Sequence, residues 1–165
     1  TAFIMKQYKI DLNVKIGHIH LTVSDLNKSL KFYKDILGFE VQQDLGEAIF
    51  LSAGEYHHTI GLNSWSRKGA RKPEEGQIGL YHFAVLYSSR KELAKALKNL
   101  IATKYPIEGA SDHGVSESIY LKDPDGNGIE IYADRKEKSW PRDKNGKLIM
   151  YTRVLDINNL LKEAV

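Results

Sequence analysis

The stretch SESIYLKDPDGNGIEIYAD, residues 116–134, decides the fold. Alternating apolar and polar residues predict strands over residues 116–122 and 128–133. The run DPDGNG between them predicts a tight turn, because Asp, Asn and Gly tolerate the backbone angles that turns require. The turn therefore pins the register of the second strand.

These two strands complete a unit with the order β-α-β-β-β. In the second half of the chain the predicted elements are a strand over 79–86, a helix over 90–101, a strand near Tyr105 and the strands 116–122 and 128–133. In the first half the same order is predicted, with a strand over 16–23, a helix capped by Ser24 or Asp25 that stops at Gly38, and strands over 39–43, 47–52 and 57–63.

A shift of 64 positions places His18 on His82 and matches the apolar stripes of the two helices. The sequence therefore predicts an α+β fold in which two tandem βαβββ modules form a half-open mixed β-barrel around a metal cleft, with the helices outside. Residues 1–165 are expected to form a single domain, divided into module one (about 15–63), a linker (64–78), module two (about 79–134) and a C-terminal tail (135–165). In the tail, Asp156 is expected to cap a short helix.

Composition excludes several classes of protein. An apolar content of 42% is ordinary for a globular chain, and the net charge of +3 comes mostly from scattered lysines, so no nucleic-acid partner is expected. The absence of cysteine excludes disulfides, thiol catalysis and cysteine-ligated metal. No apolar run is long enough to cross a membrane and the N terminus lacks a signal-peptide core, so we expect a cytoplasmic protein without a membrane partner.

Two histidines and one carboxylate are candidate metal ligands. His18 and His82 occupy the same position in the first strand of each module, and we expect these strands to be able to lie side by side. Glu130 lies between two isoleucines on the last strand. Such a set suits Fe(II) or Mn(II) and leaves coordination positions open. His20 shares a strand face with His18 and is an alternative ligand if the register differs.

The adjacent pair His57 and His58 lies on a predicted strand. Because neighbouring strand residues point to opposite faces, one histidine at most can face a given pocket. We expect His58 to face the cleft and His57 to face away.

The segments IGHIHLTVSDLNKSLKFYKDILGFEV, LYHFAVLYSSRKELAKALKNL and SESIYLKDPDGNGIEIYADR resemble the vicinal oxygen chelate superfamily. This superfamily includes glyoxalase I, fosfomycin-resistance enzymes and type I extradiol dioxygenases. The resemblance covers about residues 16–134 and implies that His18, His82 and Glu130 bind the metal.

Within the superfamily, the chain looks most like the catechol 2,3-dioxygenase branch. The HHT run matches the acid-base histidine of that branch at His58, Tyr120 lies ten residues before Glu130 as in those enzymes, and His113 is a weaker match for their substrate-binding histidine. The resemblance implies an Fe(II)-dependent, or otherwise Mn(II)-dependent, extradiol dioxygenase that acts on a small aromatic diol with O2. A homodimer or higher homo-oligomer is also expected.

Two other classes stay open. The first is a glyoxalase I-like lyase or a fosfomycin-resistance-type transferase, although glyoxalase I carries a glutamate ligand where the nearest match here is Gly61. The second is a metal-free binding protein of the bleomycin-resistance kind.

Overall fold

A computed structural model describes residues 8–165 of the chain. Residues 1–7, part of the N-terminal stretch in which the sequence predicts no signal peptide, lie outside this range. The helices and strands of residues 8–165, in chain order, are β1 (Ile19–Thr22), α1 (Leu26–Leu30), a π-helical segment (Lys31–Ile36), β2 (Glu40–Asp44), β3 (Ala48–Ser52), β4 (Ile60–Asn63), β5 (Phe83–Tyr87), α2 (Arg90–Ala102), β6 (Gly109–Asp112), β7 (Ser116–Lys122), β8 (Gly128–Asp134), a 3-10 helix (Glu137–Ser139), β9 (Arg153–Val154) and α3 (Ile157–Leu161).

The strands form two mixed sheets with the same internal order. The first sheet is β1-β4-β3-β2, and the second is β5-β8-β7-β6 with β9 added at its edge. In both, the first strand of the module runs parallel to the last, and the remaining pairs are antiparallel. The predicted α+β fold with two βαβββ modules is therefore confirmed. Over residues 8–165 the sheets do not close into a barrel, and β1 and β5 are edge strands of separate sheets rather than hydrogen-bonded neighbours.

One cluster of buried side chains joins the two modules. It includes Tyr33 from the first module and Leu97 from α2, which lie on the predicted apolar stripes. Phe32 and Leu93, which the prediction did not place on those stripes, also belong to it. The amide of Asn99 also donates a hydrogen bond of 2.8 Å to the Ile36 carbonyl of the first module. The faces of the two helices therefore contribute to a shared core.

Side chains at the helix starts satisfy backbone N–H groups that have no partner within the helix. Asp25 accepts from the Lys28 N–H at the start of α1, and Asp156 accepts from the Asn159 N–H at the start of α3. The predicted cap at Asp156 is therefore confirmed. Within residues 8–165, every helix is too short or too polar to span a lipid bilayer.

The buried Tyr33 hydroxyl ties the first helix to the turn before β8. It donates a 2.8 Å hydrogen bond to Asp123, whose carboxylate also accepts from the backbone N–H groups of Asp125 and Asn127. Burial, and then the Asp123 charge, raise the pKa of Tyr33. This contact therefore holds the turn that positions β8.

We expect Tyr33→Phe to lower the free energy of unfolding by about 1–3 kcal/mol, because a buried carboxylate loses a donor. The folded state raises the pKa of Tyr33, so the protonated hydroxyl stabilises the folded protein. This contribution to the free energy of unfolding is fully present below the ordinary tyrosine pKa of about 10 and is lost as the pH rises above that value. Urea denaturation at neutral and alkaline pH tests this, and the gap between wild type and variant should narrow at alkaline pH. A pH-independent gap would contradict the assignment.

Candidate active site

His82 and Glu130 face each other across two parallel strands. Ala84 pairs with Glu130 in the register of β5 and β8, so His82, two residues before Ala84, projects from the same sheet face. His82 Nε2 lies 3.0 Å from Glu130 Oε2, and both side chains are partly exposed. The pair thus opens to solvent at the edge of the second sheet.

This spacing fits two ligands of one divalent cation. Donors about 2.1 Å from an ion and at right angles to each other lie about 3.0 Å apart. An imidazole nitrogen and a carboxylate oxygen are ligand types that Fe(II) and Mn(II) accept. The same distance permits a hydrogen bond between the two side chains without an ion.

His18 lies with His58 instead of joining this pair. It immediately precedes β1, and its ring centroid is 4.5 Å from that of His58. Among the residues that the structure describes, no three His, Asp or Glu side chains form a group able to hold a metal ion. The structure therefore brings two of the three predicted ligands together, His82 and Glu130, and leaves His18 apart from them.

His57 and His58 precede β4 rather than lying within it, since the strand begins at Ile60. A turn at Gly54 and a bend through Thr59 occupy this stretch, so strand alternation does not apply. The two Nδ1 atoms are 2.7 Å apart, and the His57 ring also lies against Tyr56. The prediction that the two histidines lie on a strand and point to its opposite faces is therefore wrong.

The environment of His58 favours its neutral form. Loss of solvation lowers the pKa of His58, and the neighbouring His18, His57 and His20 lower it further. A neutral imidazole at neutral pH is able to accept a proton.

Tyr120 connects the His82–Glu130 pair to His113. Tyr120 pairs directly with Glu130 in the antiparallel register of β7 and β8, and its ring centroid lies 5.9 Å from that of His82. Its hydroxyl lies 2.5 Å from His113 Nε2. Burial, followed by the Glu130 charge, raises the pKa of Tyr120. Four of the six predicted site residues, His82, His113, Tyr120 and Glu130, thus form one continuous patch.

Family comparison agrees with this fold. The model of the Glyoxalase/Bleomycin resistance protein/Dioxygenase superfamily matches residues 15–131. The chain belongs to this superfamily. The match spans both modules, including His18, His82 and Glu130.

The relatives of this superfamily member include dioxygenases. The catechol-2,3-dioxygenase of Bacillus subtilis (strain 168) is 44% identical over 90% of the chain and 52% of the relative. The manganese-dependent 2,3-dihydroxybiphenyl 1,2-dioxygenase of Geobacillus genomosp. 3 is 29% identical over 81% of the chain and 41% of the relative. The chain spans about half the length of these curated relatives. A glyoxalase/dioxygenase structure from Nostoc punctiforme superposes with a TM-score of 0.62, at 21% identity, over 79% of the chain and all of that structure.

Gly61 occupies the position in module one that Glu130 occupies in module two of this superfamily fold. His20 pairs with Gly61 in β1 and β4, as Ala84 pairs with Glu130 in β5 and β8. A Cβ atom at Gly61 would lie 2.9 Å from His20 Cγ, because the imidazole covers the glycine. A glutamate ligand of the glyoxalase I kind therefore has no room here unless His20 moves.

The His20 ring belongs to an aromatic group on the first sheet. Its centroid lies 5.8 Å from that of Phe50 and 5.6 Å from that of Trp65. Phe50 in turn contacts His58, with centroids 5.0 Å apart. The sequence alone did not place Phe50 and Trp65 beside the candidate site residues His20 and His58. The half-buried position of Phe50 between buried strand neighbours could have indicated it.

Proposed function

We propose that the chain provides the active site of an extradiol dioxygenase, which cleaves a catechol-like ring with O2 at a divalent metal ion. The observation that carries the proposal is the His82–Glu130 pair at 3.0 Å, with the hydrogen-bonded Tyr120 and His113 beside it. The likeness to a catechol-2,3-dioxygenase and to a manganese-dependent ring-cleaving enzyme supports it.

His82 and Glu130 would bind the ion, with His18 as the third ligand. Because β1 and β5 are edge strands, an approach of these two edges would bring His18 to the pair. Fe(II) is the proposed metal and Mn(II) the alternative, since one relative bears manganese in its name. The homodimer or larger homo-oligomer stays a prediction.

The bound ion would supply positive charge that favours a deprotonated catechol, and open positions for the diol and O2. Side chains of the protein would transfer protons and orient the substrate. His58 would accept a proton from the substrate and return it later, because its neutral form is favoured. Tyr120 would hydrogen-bond a substrate oxygen, and His113 would hold Tyr120 through their 2.5 Å contact.

The deciding experiment is anaerobic loading with Fe(II) or Mn(II), followed by oxygen consumption and visible absorbance with a panel of catechols. A yellow ring-cleavage product with stoichiometric oxygen uptake is expected. Bound metal without turnover of any catechol would overturn the proposal. Turnover of a hemithioacetal or an epoxide without oxygen uptake would instead identify a lyase or a transferase.

We expect His58→Gln to keep the metal content and to lower kcat by about 10²–10⁴-fold, the range of a lost general acid-base group. His57→Gln is the comparison variant: its Nδ1 lies 2.7 Å from that of His58, so this change removes a neighbour of the base but not the base itself, and we expect a smaller loss of kcat than for His58→Gln. Metal analysis and steady-state kinetics measure both variants. If His58→Gln also loses the metal, His58 is a ligand rather than a base.

A further inference from the structure

A segment of the C-terminal tail, residues 149–154, lies along the turn that carries His113; we refer to it as the strap. Its end forms β9, in which Arg153 pairs with Asp112 of β6. The Tyr151 N–H donates to the His113 carbonyl at 3.3 Å, and the Arg153 guanidinium lies 4.1 Å from the centroid of the Tyr151 ring. The strap is therefore attached to the second module at Tyr151 and at β9.

The strap fits closely against Gly114. This glycine has φ +79° and is buried, and a Cβ atom there would lie 2.7 Å from Tyr151 Cε1 and 2.9 Å from Pro141 Cγ. Position 114 thus needs glycine both for its backbone conformation and for the close approach of the strap. The turn after His113 and the strap therefore pack in close contact.

A second contact of the strap, through the Tyr151 carbonyl, fixes the position of the proton on His113. Its Nδ1 lies 2.9 Å from the Tyr151 carbonyl oxygen, which can only accept a hydrogen bond. The Thr152 hydroxyl also lies near Nδ1, but at 3.4 Å it is the more distant partner, and it can accept as well as donate. Nδ1 therefore carries the proton, so Nε2 of the neutral ring has a free lone pair. Because Nε2 is 2.5 Å from the Tyr120 hydroxyl, Tyr120 is the donor in that hydrogen bond.

We propose that the strap is a positioning element that holds His113 in its Nδ1–H tautomer through the Tyr151 carbonyl and thereby sets the direction of the Tyr120 hydroxyl. With its proton donated to His113, the Tyr120 oxygen keeps its lone pairs free to accept a hydrogen bond. Tyr120 then accepts a hydrogen bond from the substrate hydroxyl that is still protonated, before His58 removes its proton, rather than donating one. This last consequence rests on the proposed function; the tautomer and the hydrogen-bond direction do not.

The test is ¹⁵N–¹H correlation NMR of the histidine rings in the metal-free full chain, which reports the tautomer without any need for activity. We expect His113 to be in the Nδ1–H form. Replacing the Tyr151–Thr152 amide by an ester, introduced by semisynthesis, weakens the Tyr151 carbonyl as an acceptor. The ratio of Nδ1–H to Nε2–H should then fall about fivefold, as expected for loss of most of one hydrogen bond.

An ester at the Met150–Tyr151 bond is the matched control. It removes the Tyr151 N–H, which donates to the His113 carbonyl, but leaves the Tyr151 carbonyl an amide. The control should keep the wild-type tautomer, as should Tyr151→Phe. An Nε2–H form in the wild type, or equal ratios in the two esters, would overturn the proposal. A chain with the expected tautomers but no dioxygenase activity would refute the proposed function alone.

Discussion

Glu130→Gln should abolish functional metal binding. The amide keeps the shape of the side chain and a possible hydrogen bond to His82 Nε2, which lies 3.0 Å from Glu130 Oε2, but it removes the negative charge. Residues that only support a metal ligand already change affinity by about 10–100-fold, so loss of the ligand itself should exceed about 100-fold. We expect a matching loss of catechol turnover. Isothermal titration calorimetry with Mn(II) and oxygen-uptake kinetics measure the two effects.

Asp134→Asn is the matched control for this prediction. It makes the same chemical change on the same strand, but at an exposed residue at the end of β8. The control should bind metal and turn over substrate like the wild type. Wild-type affinity in Glu130→Gln would show that Glu130 is only a hydrogen-bond partner of His82, and the metal would have to lie elsewhere.

The elements that could be predicted from the sequence are those set by local pattern. The strand over residues 116–122 agrees with β7 at both ends, because alternation and the DPDGNG turn both act within a few residues. The helix over 90–101 differs from α2 by one residue, since its apolar stripe and the cap at Ser89 are also local. Glu130 and Tyr120 could be paired for the same reason, because one tight turn joins their strands.

The remainder depends on contacts that sequence spacing does not encode. The strand expected near Tyr105 begins at Gly109, because its position follows from pairing with β7. The role of Tyr151 was missed because its contact with His113 spans 38 positions of the chain. The separation of His18 from His82 likewise depends on how two whole sheets meet, which the repeat alone does not determine.

Gly128→Ala should disrupt the candidate metal pair while both ligand residues stay unchanged in the sequence. A Cβ atom at Gly128 would lie 2.2 Å from the Tyr81 carbonyl oxygen and 3.0 Å from His82 Cβ. The clash with Tyr81 is with backbone, so a side-chain rotation cannot relieve it, and the start of β5 must move away from β8. His82 should then separate from Glu130. We expect about 1–3 kcal/mol lower stability, as for overpacked sites, and metal binding weaker by about 10–100-fold.

Gly109→Ala is the matched control, which tests whether the close contact between Gly128 and Tyr81 causes the loss of stability and metal affinity. Gly109 begins β6 in the same sheet, and no atom lies within 4 Å of a Cβ built there. Neither glycine has a positive φ, so both substitutions carry the same small change in chain entropy and differ only in the clash. Urea denaturation and calorimetric Mn(II) titration should therefore separate the two variants. Equal metal affinities in Gly128→Ala and Gly109→Ala would mean that the metal does not need His82 and Glu130 at their observed spacing.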